Sequence, residues 1–498
     1  MIKSQSDLLP YAQQNYNLVP LTREVLADYE TPLSVYRKLA GSAYSFLFES
    51  VQGGEKWGRY SIIGLPCNQR FSVHKKRVKL QDGNQILRDE EVDDPLAEVE
   101  KFQAQFQVPE FEGLPRFCGG LVGFFGFDTV HSIEPQLAGN EKPDHIGAPD
   151  ILLMVAQEVV VFDSLANRLI LIVHVDPNDS DAFSQGQRRL DSICERLEQP
   201  MPPRPYSASS KPLEESDFKS SFTKQGFLDA VAKAKEYIID GDIFQVVLSQ
   251  QMTAPYDADP LDLYRALRTL NPSPYMYYLD LQDSYVVGSS PEILVRVEDG
   301  EVTVRPIAGT RRRGRDEAHD LAMEEELIND PKELAEHLML VDLGRNDAGR
   351  VSKIGTVKVT RREDIERYSH VMHIVSNVTG ELKDDLEAID VLRATFPAGT
   401  VSGAPKIRAM EIIQELEPVK RGIYSGAIGY ISWNGNMDTA IAIRTAIVSD
   451  KMLTIQAGAG VVADSVPELE WKETLNKARA VFKAAQMAQN RLQLGEHG

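Results

Sequence analysis

Cysteine is scarce in this sequence, with only Cys67, Cys118 and Cys194 among 498 residues. The three are odd in number, far apart and never in a Cys-x-x-Cys pair. This excludes a zinc cage built from cysteine alone and gives no sign of a disulfide framework. We therefore expect buried, unreactive thiols in a reducing compartment.

Long apolar segments are also absent. The longest, at 151–162, contains Gln157 and Glu158 and is far shorter than the roughly 20 residues that cross a bilayer. The first residues, MIKSQSDLLPYAQQ, include no continuous apolar segment of the signal-peptide type. A cytoplasmic protein without membrane contact is expected.

Basic charge is in deficit as well. Lys and Arg number 54 against 74 Asp and Glu, so the net charge is −20. This argues against broad binding to nucleic acid or to anionic membranes, because both require a basic surface. An anionic ligand would need a locally basic pocket.

The chain is too long for a single ordinary core, so two large domains are expected. A segment with five prolines and four serines, at 198–216, has no apolar periodicity and is typical of a linker. We predict an N-terminal domain at 1–200, a linker at 201–216 and a C-terminal domain at 217–498.

Short strand-like segments separated by turn residues occur along the whole chain, with helical patterns between them. Because the strands follow one another in meander order, the sequence favours an α+β fold. In such a fold antiparallel sheets are covered by helices, unlike a doubly wound parallel sheet. The expected elements include a strand at 439–448 and helices at 317–343 and 467–489.

The segment KELAEH, at 332–337, places Glu333 and Glu336 one helical turn apart. One interpretation needs no chemistry, because Asp330 can cap the helix and Glu333 can be the acid of a capping box. However, the apolar residues of the next turns fall on two faces, which predicts a buried helix. Two buried carboxylates would require a cation.

A second helix, at 467–489, places Glu470, Glu473 and Lys477 on one face. If the two helices meet, four carboxylates converge on one point. Oxygen ligands without histidine or cysteine suit Mg²⁺, which keeps coordination places for water or an anionic substrate. The two acidic turns therefore predict a magnesium site.

Three further segments are candidates for binding a small anion. QAGAGVVADS (456–465) and FPAGTVSGAPKIRAMEII (396–413) carry glycines before a helix, where backbone N–H groups can hold an anion or simply form a turn. The second lacks the Lys-Ser/Thr of a P-loop, which disfavours a nucleotide. RPIAGTRRRGR (305–315) holds five arginines, in a solvated loop or beside an anion.

Together these segments resemble the chorismate-utilising enzyme family. The resemblance covers nearly the whole chain and implies antiparallel sheets packed as a sandwich, Mg²⁺ as cofactor and chorismate as substrate. The matching motifs, in order, are PIAGTRRRG, DPKELAEHLMLVDLGRND, HVMHIVSNVTG, FPAGTVSGAPKIRAMEII, YSGAIGYI, AIAIRT and AGAGVVADSVPELEWKET.

The resemblance also implies site residues. It assigns Mg²⁺ to Glu336 and Glu473, with Glu333 and Glu470 beside them. Arg444, which interrupts an apolar strand pattern, would bind a substrate carboxylate through both guanidinium branches. The positions that match the family's chorismate contacts are Gly309, Thr310, Thr400, Tyr424, Arg444, Gly458, Ala459, Gly460 and Lys477.

The family divides by the nucleophile that attacks the ring. Relatives that activate water carry a lysine where this chain has Gln245, and relatives that make the 4-amino isomer carry one at Ala308. Neither lysine is present, and uncharged ammonia needs no base, so the resemblance implies amination to anthranilate. Glu292 is the expected acid for the C4 hydroxyl. His373 is the expected helper in pyruvate elimination, or else a hydrogen-bonded core histidine.

A partner and a regulator are also implied. Cys118, in RFCGGLVG, lacks the surroundings of a glutaminase nucleophile. A separate glutamine amidotransferase subunit is therefore expected, in a heterotetramer, unless the chain uses free ammonia. FLFES, ending at Ser50, resembles a tryptophan-binding segment together with Pro274, Tyr275 and Met276, although its pattern alone indicates a core strand. Feedback inhibition by tryptophan is expected.

Two alternatives stay open. One is a relative with the same site that stops before elimination and releases an amino-dihydro acid. The other is a non-catalytic anion-binding protein that keeps the fold. Retention of both acidic turns and of Arg444 favours an enzyme.

Overall fold

The computed structural model describes residues 2–51, 59–139, 141–203, 213–368, 371–490 and 492. Its strands form two large sheets in which neighbouring strands pair antiparallel. Helices cover the outer faces of both sheets, so the α+β prediction is confirmed. Among the described residues, no helix combines the length and apolar character that crossing a bilayer requires.

The strands have the following bounds. They are β1 (Val19–Leu26), β2 (Ser45–Glu49), β3 (Tyr60–Gly64), β4 (Gln69–His74), β5 (Arg77–Asp82), β6 (Gln85–Glu91), β7 (Gly120–Phe125), β8 (Ile151–Ala156), β9 (Glu158–Asp163), β10 (Arg168–Val175), β11 (Lys219–Ser220), β12 (Gln245–Pro255), β13 (Tyr275–Asp280), β14 (Ser284–Ser290), β15 (Ile293–Glu298), β16 (Glu301–Val304), β17 (Ile307–Arg312), β18 (Lys358–Arg367), β19 (Val371–Glu381), β20 (Gly403–Ala404), β21 (Ala427–Ser432), β22 (Met437–Ile441), β23 (Thr445–Ser449) and β24 (Met452–Val461).

The described α-helices and short 3₁₀ turns lie between these strands. The α-helices are α1 (Leu9–Gln13), α2 (Pro32–Leu39), α3 (Pro95–Gln103), α4 (Ala182–Glu198), α5 (Lys224–Ile239), α6 (Pro260–Leu270), α7 (Glu317–Ile328), α8 (Pro331–Val351), α9 (Ala388–Thr395), α10 (Lys406–Leu416) and α11 (Pro467–Gln489). The 3₁₀ turns are Gln5–Asp7, Phe127–Ser132, Pro135–Leu137, Glu215–Asp217 and Gly399–Val401.

Both halves of the chain contribute strands to both sheets. The first sheet has the order β1-β10-β9-β3-β2-β13-β14-β23-β24-β12-β11, with β20 beside β12. The second has the order β17-β19-β16-β15-β22-β21-β7-β8-β4-β5-β6, with β18 beside β19. The halves join where β2 pairs with β13 and where β7 pairs with β21. The division into domains stays a prediction, and residues 204–212 of the predicted linker lie outside the described residues.

The two sheets pack face to face around an apolar interior. Phe46 and Ile172 from the first sheet and Phe124 and Ile428 from the second belong to this cluster. A second cluster joins the first sheet to α2, α4, α6 and α11, and a third joins the second sheet and β12 of the first sheet to α3, α5, α9 and α10. The result is a sandwich covered by helices on both sides, as alternating burial along antiparallel strands favours.

The strand predicted at 439–448 is wrong, because the structure divides it into two strands in different sheets. β22 ends at Ile441 in the second sheet, and β23 begins at Thr445 in the first. Arg444 lies in the connection with φ of 52°, in the left-handed region that strands do not use. A continuous apolar pattern does not reveal such a crossing, since both strands are buried.

The helix predicted at 317–343 is also divided. α7 ends at Ile328 and α8 begins at Pro331, which cannot continue a preceding helix. The Asp330 side chain accepts hydrogen bonds from the first N–H groups of α8, as its N-cap position predicted. The helix predicted at 467–489 coincides with α11.

Candidate active site

Two adjacent crossings between the sheets form the centre of the candidate site. The first, between β14 and β15, carries Glu292, and the second, between β22 and β23, carries Arg444. Backbone hydrogen bonds join them, because the Ile441 amide donates to the Glu292 carbonyl at 3.0 Å and the Ser289 amide donates to the Arg444 carbonyl at 3.2 Å. The sandwich thus holds an acid and a cation at one point.

Glu292 is buried, with 5% of its surface exposed. The hydroxyl of Thr400 donates to its Oε1 at 2.8 Å. Burial raises the pKa of the Glu292 carboxyl to about 8, against the opposing hydrogen bond from Thr400. Glu292 is therefore protonated at neutral pH and can donate a proton.

His373 lies on β19, beside the β17 segment that holds Gly309 and Thr310. Its Nδ1 is 2.9 Å from the Gly309 carbonyl oxygen and 3.1 Å from the Thr310 hydroxyl. Because a carbonyl can only accept, Nδ1 carries the ring proton and Nε2 holds the lone pair. Burial lowers the pKa of His373, so the ring is neutral and can act as a base.

The first acidic turn is held by β17. The Asp330 side chain accepts N–H bonds from Lys332 at 2.9 Å and Glu333 at 3.4 Å. Glu333 is not the acid of a capping box, because its carboxylate accepts from Arg311 at 3.1 Å. Arg311 also binds Asp330 at 2.6 Å, so it fastens the start of α8 to β17.

The N-terminal parts of α8 and α11 lie next to each other, which the sequence alone left open. Lys332 forms an ion pair with Asp464, just before α11, at 3.0 Å. Burial raises the pKa of Glu336, and the neighbouring charge of Glu473 on α11 raises it further. Burial likewise raises the pKa of Glu470. The carboxyl groups of Glu336 and Glu473, on different helices, therefore lie within electrostatic reach of each other.

The four-carboxylate cluster expected from the sequence is not formed. No group of three Asp, Glu, His or Cys side chains lies in metal-binding proximity in the described parts of the chain. Arg311 neutralises Glu333, and α8 is more exposed than expected, since Leu338 is 51% exposed. The remaining pair, Glu336 and Glu473, fits Mg²⁺, which commonly takes one or two carboxylates and keeps several waters or substrate oxygens.

Lys477 joins this pair to the rest of the site. Its ammonium group lies 2.7 Å from the Glu473 carboxylate and donates to the Gly458 carbonyl at 3.0 Å. The same positive charge lowers the pKa of Glu292 and of Glu336, against the larger effect of burial on each. Lys477 therefore lies within electrostatic reach of both acidic groups.

The glycines before α11 belong to a strand and do not form the turn that the segment 456–465 also allowed. Gly458 and Gly460 lie in β24, paired with β12, and flank the buried Ala459. A Cβ at Gly458 would lie 2.8 Å from the Tyr424 hydroxyl, and one at Gly460 would lie 2.6 Å from Nε2 of Gln245. These glycines therefore make room for Tyr424 and Gln245.

Gln245 begins β12 and is 5% exposed. Its Oε1 has no hydrogen-bond partner within the described residues. A buried amide oxygen without a partner is rare, and here it can accept a hydrogen bond from a bound molecule. No ammonium group of a lysine stands at this position, as the sequence already indicated.

Gly309 takes a conformation that disfavours other residues, with φ of 64°. A Cβ there would lie 3.2 Å from Oε2 of Glu333 and 3.1 Å from Leu327. The adjacent Thr310 is exposed. The β17 turn therefore lies directly against the first acidic turn.

Arginines of the 305–315 segment form ion pairs within the protein. Arg305 pairs with Glu366, Arg311 pairs with Glu333 and its neighbours, and Arg313 pairs with Asp320 at 2.8 Å. These contacts connect β17 to α7, α8 and β18. The segment is thus neither a solvated loop nor a free anion site at these three positions.

The residues predicted to bind tryptophan lie together in a cavity of about 1270 Å³. Ser50, Pro274, Tyr275 and Met276 all line it. β2 pairs with β13 in the first sheet, so FLFES is also a core strand. The two interpretations of this segment are therefore compatible.

Sequence reasoning missed two arginines. Arg311 belonged to a basic run that offered no partner, and Arg421 belonged to no motif that we singled out. Arg421 is 2% exposed and pairs with Glu417, four residues earlier, at 2.6 Å. The i,i+4 spacing of opposite charges was the only signal, and it usually marks an exposed helix surface.

Comparisons with known proteins show what this chain resembles. The chorismate binding enzyme family matches residues 44–483. Anthranilate synthase component 1 of Pseudomonas aeruginosa is 58% identical over 488 residues, covering 98% of this chain and 99% of that protein. The crystal structure of anthranilate synthase component I from Streptococcus pneumoniae has a TM-score of 0.77 at 37% identity, over 92% of this chain and 99% of that one.

A more distant structure shares the fold alone. The menaquinone-specific isochorismate synthase of Escherichia coli has a TM-score of 0.70 at 20% identity, over 97% of this chain and 98% of that one.

Proposed function

Because the chain belongs to the family of chorismate binding enzymes, we propose that it acts as component 1 of an anthranilate synthase. It converts chorismate and ammonia to anthranilate, pyruvate and water, at the start of tryptophan biosynthesis in the cytoplasm. The observation that carries this proposal is the site itself. The site combines a protonated Glu292, a neutral His373 and two glutamates in electrostatic reach of each other, and it has Gln245 where the water-activating relatives have a lysine base.

Glu336 and Glu473 would hold Mg²⁺, which when bound withdraws charge from the ring through the ring carboxylate. Each carboxylate comes from the second turn of its own helix. Arg444 supplies a guanidinium for a substrate carboxylate, with Lys477 as a second cation. The local positive charge that a dianionic substrate needs is thus present in a chain of net charge −20.

The proposed reaction begins with addition of ammonia at C2 of the ring. The two ring double bonds shift, the C4–O bond breaks, and the hydroxyl leaves as water with the proton of Glu292. The nitrogen bound at C2 is then an ammonium group, and the proton that it loses restores the Glu292 carboxyl. Gln245 accepts a hydrogen bond from the incoming ammonia through its Oε1. Because Gln245 cannot remove a proton, water would not be activated there.

The second step removes pyruvate. Nε2 of His373 accepts the C2 proton, the electron pair forms the aromatic ring, and the C3–O bond breaks to release enolpyruvate, which becomes pyruvate. The hydrogen bond from Nδ1 to the Gly309 carbonyl keeps Nε2 unprotonated for this role.

Ammonia is proposed to come from a separate glutamine amidotransferase subunit, in a heterotetramer. A glutaminase nucleophile must be a reactive thiolate. Burial raises the pKa of the Cys67 thiol to about 12 and that of Cys118 to about 11, so neither supplies one. The name component 1 in the relatives is consistent with a second component.

Tryptophan is the proposed inhibitor, bound in the 1270 Å³ cavity beside Ser50, Pro274, Tyr275 and Met276. Two of the walls are β2 and β13, which come from the two halves of the chain. A ligand here would contact both halves at once, as feedback control of the catalytic half requires.

The test is direct. The purified chain is incubated with chorismate, Mg²⁺ and an ammonium salt at alkaline pH, and the products are identified. Fluorescent anthranilate and pyruvate in equal amounts are expected. A non-fluorescent amino-dihydro acid without pyruvate would favour a synthase that stops before elimination, and no turnover would favour a binding protein.

A further inference from the structure

An ion pair is buried next to the proposed chorismate site. Arg421 is 2% exposed and Glu417 is 3% exposed. Nε of Arg421 donates to Oε2 of Glu417 at 2.9 Å, and the NH2 group donates to Oε1 at 2.6 Å. This is the parallel, two-point geometry that makes a guanidinium–carboxylate pair strong.

Every N–H of the Arg421 guanidinium has a partner. Besides its bond to Oε1 of Glu417, the NH2 group donates to the carbonyl of Val247 at 2.7 Å. NH1 donates to the carbonyl of Val401 at 2.7 Å and to the hydroxyl of Ser425 at 3.2 Å. A guanidinium has five donors, and all five are used.

Glu417 extends the network to the first sheet. Its Oε1 accepts from the backbone N–H of Ser249 at 2.7 Å and from the Ser249 hydroxyl at 2.8 Å. The side-chain amide of Gln456 donates to the same hydroxyl at 2.9 Å. The pair is therefore bonded to β12 and, through Ser249, to β24.

The bonded segments also carry the proposed chorismate contacts. Val401 follows Thr400, and Ser425 follows Tyr424, whose ring centroid is 5.6 Å from the guanidinium. Ser249 lies opposite Gly458 in the β12–β24 pairing. One buried group thus fixes three segments of the site relative to one another.

Stability alone does not account for this pair. Removing two charges from water costs about as much free energy as their attraction returns. Replacing such a pair by apolar residues of equal volume therefore often leaves the stability of the fold equal or higher. An apolar side chain, however, could not bind three separate backbone segments in one fixed geometry. The pair is suited to holding positions.

We propose that Arg421 and Glu417 are positioning residues that set the spacing of Thr400, Tyr424 and the Gly458 strand around chorismate. This rests on the proposed function. Neither residue needs to touch the substrate, because each acts through the segments that it holds.

The test compares Arg421→Lys and Glu417→Gln with the wild type in ammonia-dependent assays, far below the unfolding temperature of each. Lysine keeps the charge but loses the fork, and glutamine keeps the shape but loses the charge. We expect KM for chorismate to rise at least about tenfold and kcat to fall, because the contacts are misplaced. The full-length variants are used throughout, and circular dichroism establishes that each is folded.

Asp163→Asn is the matched control for buried charge. Its carboxylate is fully buried and pairs with Arg59 at 2.8 Å, at the end of β9 and without a hydrogen bond or ion pair to any proposed site residue. We expect a lowered Tm with KM within about twofold of wild type. Equal KM changes in this control, or unchanged kinetics in folded Arg421→Lys and Glu417→Gln, would overturn the proposal.

Ser249→Ala is a milder variant that keeps both charges, for use if the first two do not fold. It removes one hydrogen bond to Glu417, and we expect KM to rise about threefold. Unchanged KM in this folded variant would then overturn the proposal.

If the wild type makes no anthranilate, the proposed function fails, and chorismate titration by calorimetry decides the positioning role. Weaker binding in the variants supports that role, and equal binding refutes it.

Discussion

The hydroxyl of Thr400 lies 2.8 Å from Oε1 of Glu292, at the point where the chain passes from one sheet to the other. The carboxyl is buried among groups that only partly offset the loss of water, so it holds its proton to about pH 8. That contact makes the acid assignment testable by pH.

Glu292→Gln should lower kcat by about 10²- to 10³-fold, because a glutamine cannot donate the proton that the leaving hydroxyl needs. In the wild type, the folded pKa of about 8 lies above the usual value of a glutamate, so the active protonated form is lost as pH rises through 8. Rates are to be compared at equal concentrations of uncharged ammonia. A Glu292→Gln variant whose kcat falls at alkaline pH in the same way as that of the wild type would contradict the assignment.

Thr400→Val should shift the alkaline limb of kcat to higher pH. The hydrogen bond from Thr400 favours the ionised carboxylate, so its removal raises the pKa of Glu292 further. KM should rise as well, since Thr400 is a proposed chorismate contact. A limb that moves to lower pH would show that the hydroxyl favours the protonated acid instead.

Glu336→Gln and Glu473→Gln should each raise the Mg²⁺ concentration for half-maximal activity at least about tenfold, because each removes a charged ligand. Addition of Mg²⁺ should raise the Tm of wild type more than that of either variant. Glu468→Gln, an exposed acid in the first turn of α11, is the control and should change neither. Full Mg²⁺-dependent activity in Glu336→Gln would make the metal assignment wrong.

Ser50→Phe should abolish inhibition by tryptophan while turnover persists. A phenylalanine ring at this wall would fill part of the cavity that Pro274, Tyr275 and Met276 share. The measurement is the tryptophan concentration that halves the rate, which should rise at least about a hundredfold. Ser180→Phe, at an exposed turn, provides the same change elsewhere and should keep normal inhibition.

Glutamine should not support turnover by the purified chain, whereas ammonium should. Burial of Cys67 and partial burial of Cys118 raise the pKa values of their thiols to about 12 and about 11, so both remain protonated and unreactive at working pH. Anthranilate fluorescence with each nitrogen source measures this. Glutamine-dependent turnover without a partner would refute the need for an amidotransferase subunit.

Gly458→Ala should lower stability by about 1–3 kcal/mol, because the added methyl group would overpack a buried site. It would lie 2.8 Å from the Tyr424 hydroxyl and 3.0 Å from Val247. KM for chorismate should rise with it, since Tyr424 must move. Gly435→Ala is the control, because a Cβ there meets no neighbour and φ is 82°. Its loss of stability measures backbone strain without a steric clash.

Local features of the site followed from the sequence. The cap at Asp330, the bounds of α11 and the spacing of Glu470 and Glu473 are confirmed, because helical periodicity and capping depend on residues a few positions apart. The antiparallel α+β class followed for the same reason, since each strand and turn carries its own pattern.

Long-range relationships did not follow. The crossing at Arg444 lies inside an apolar pattern that resumes directly after the arginine, and the exposure of Leu338 depends on which elements cover α8. The pairing of Glu333 with Arg311, which leaves Glu336 and Glu473 as the proposed metal ligands, joins positions that show no shared spacing.

By itself the sequence determined which residues could do chemistry here: carboxylates one turn apart on two helices, a glutamine in place of a lysine, and an arginine among apolar neighbours. Only the tertiary structure decided which of them act together. Side chains from distant segments meet through strand pairing and through the crossings between the sheets. Hydrophobic periodicity indicates which face of a segment is buried, but it does not indicate which other segment covers that face.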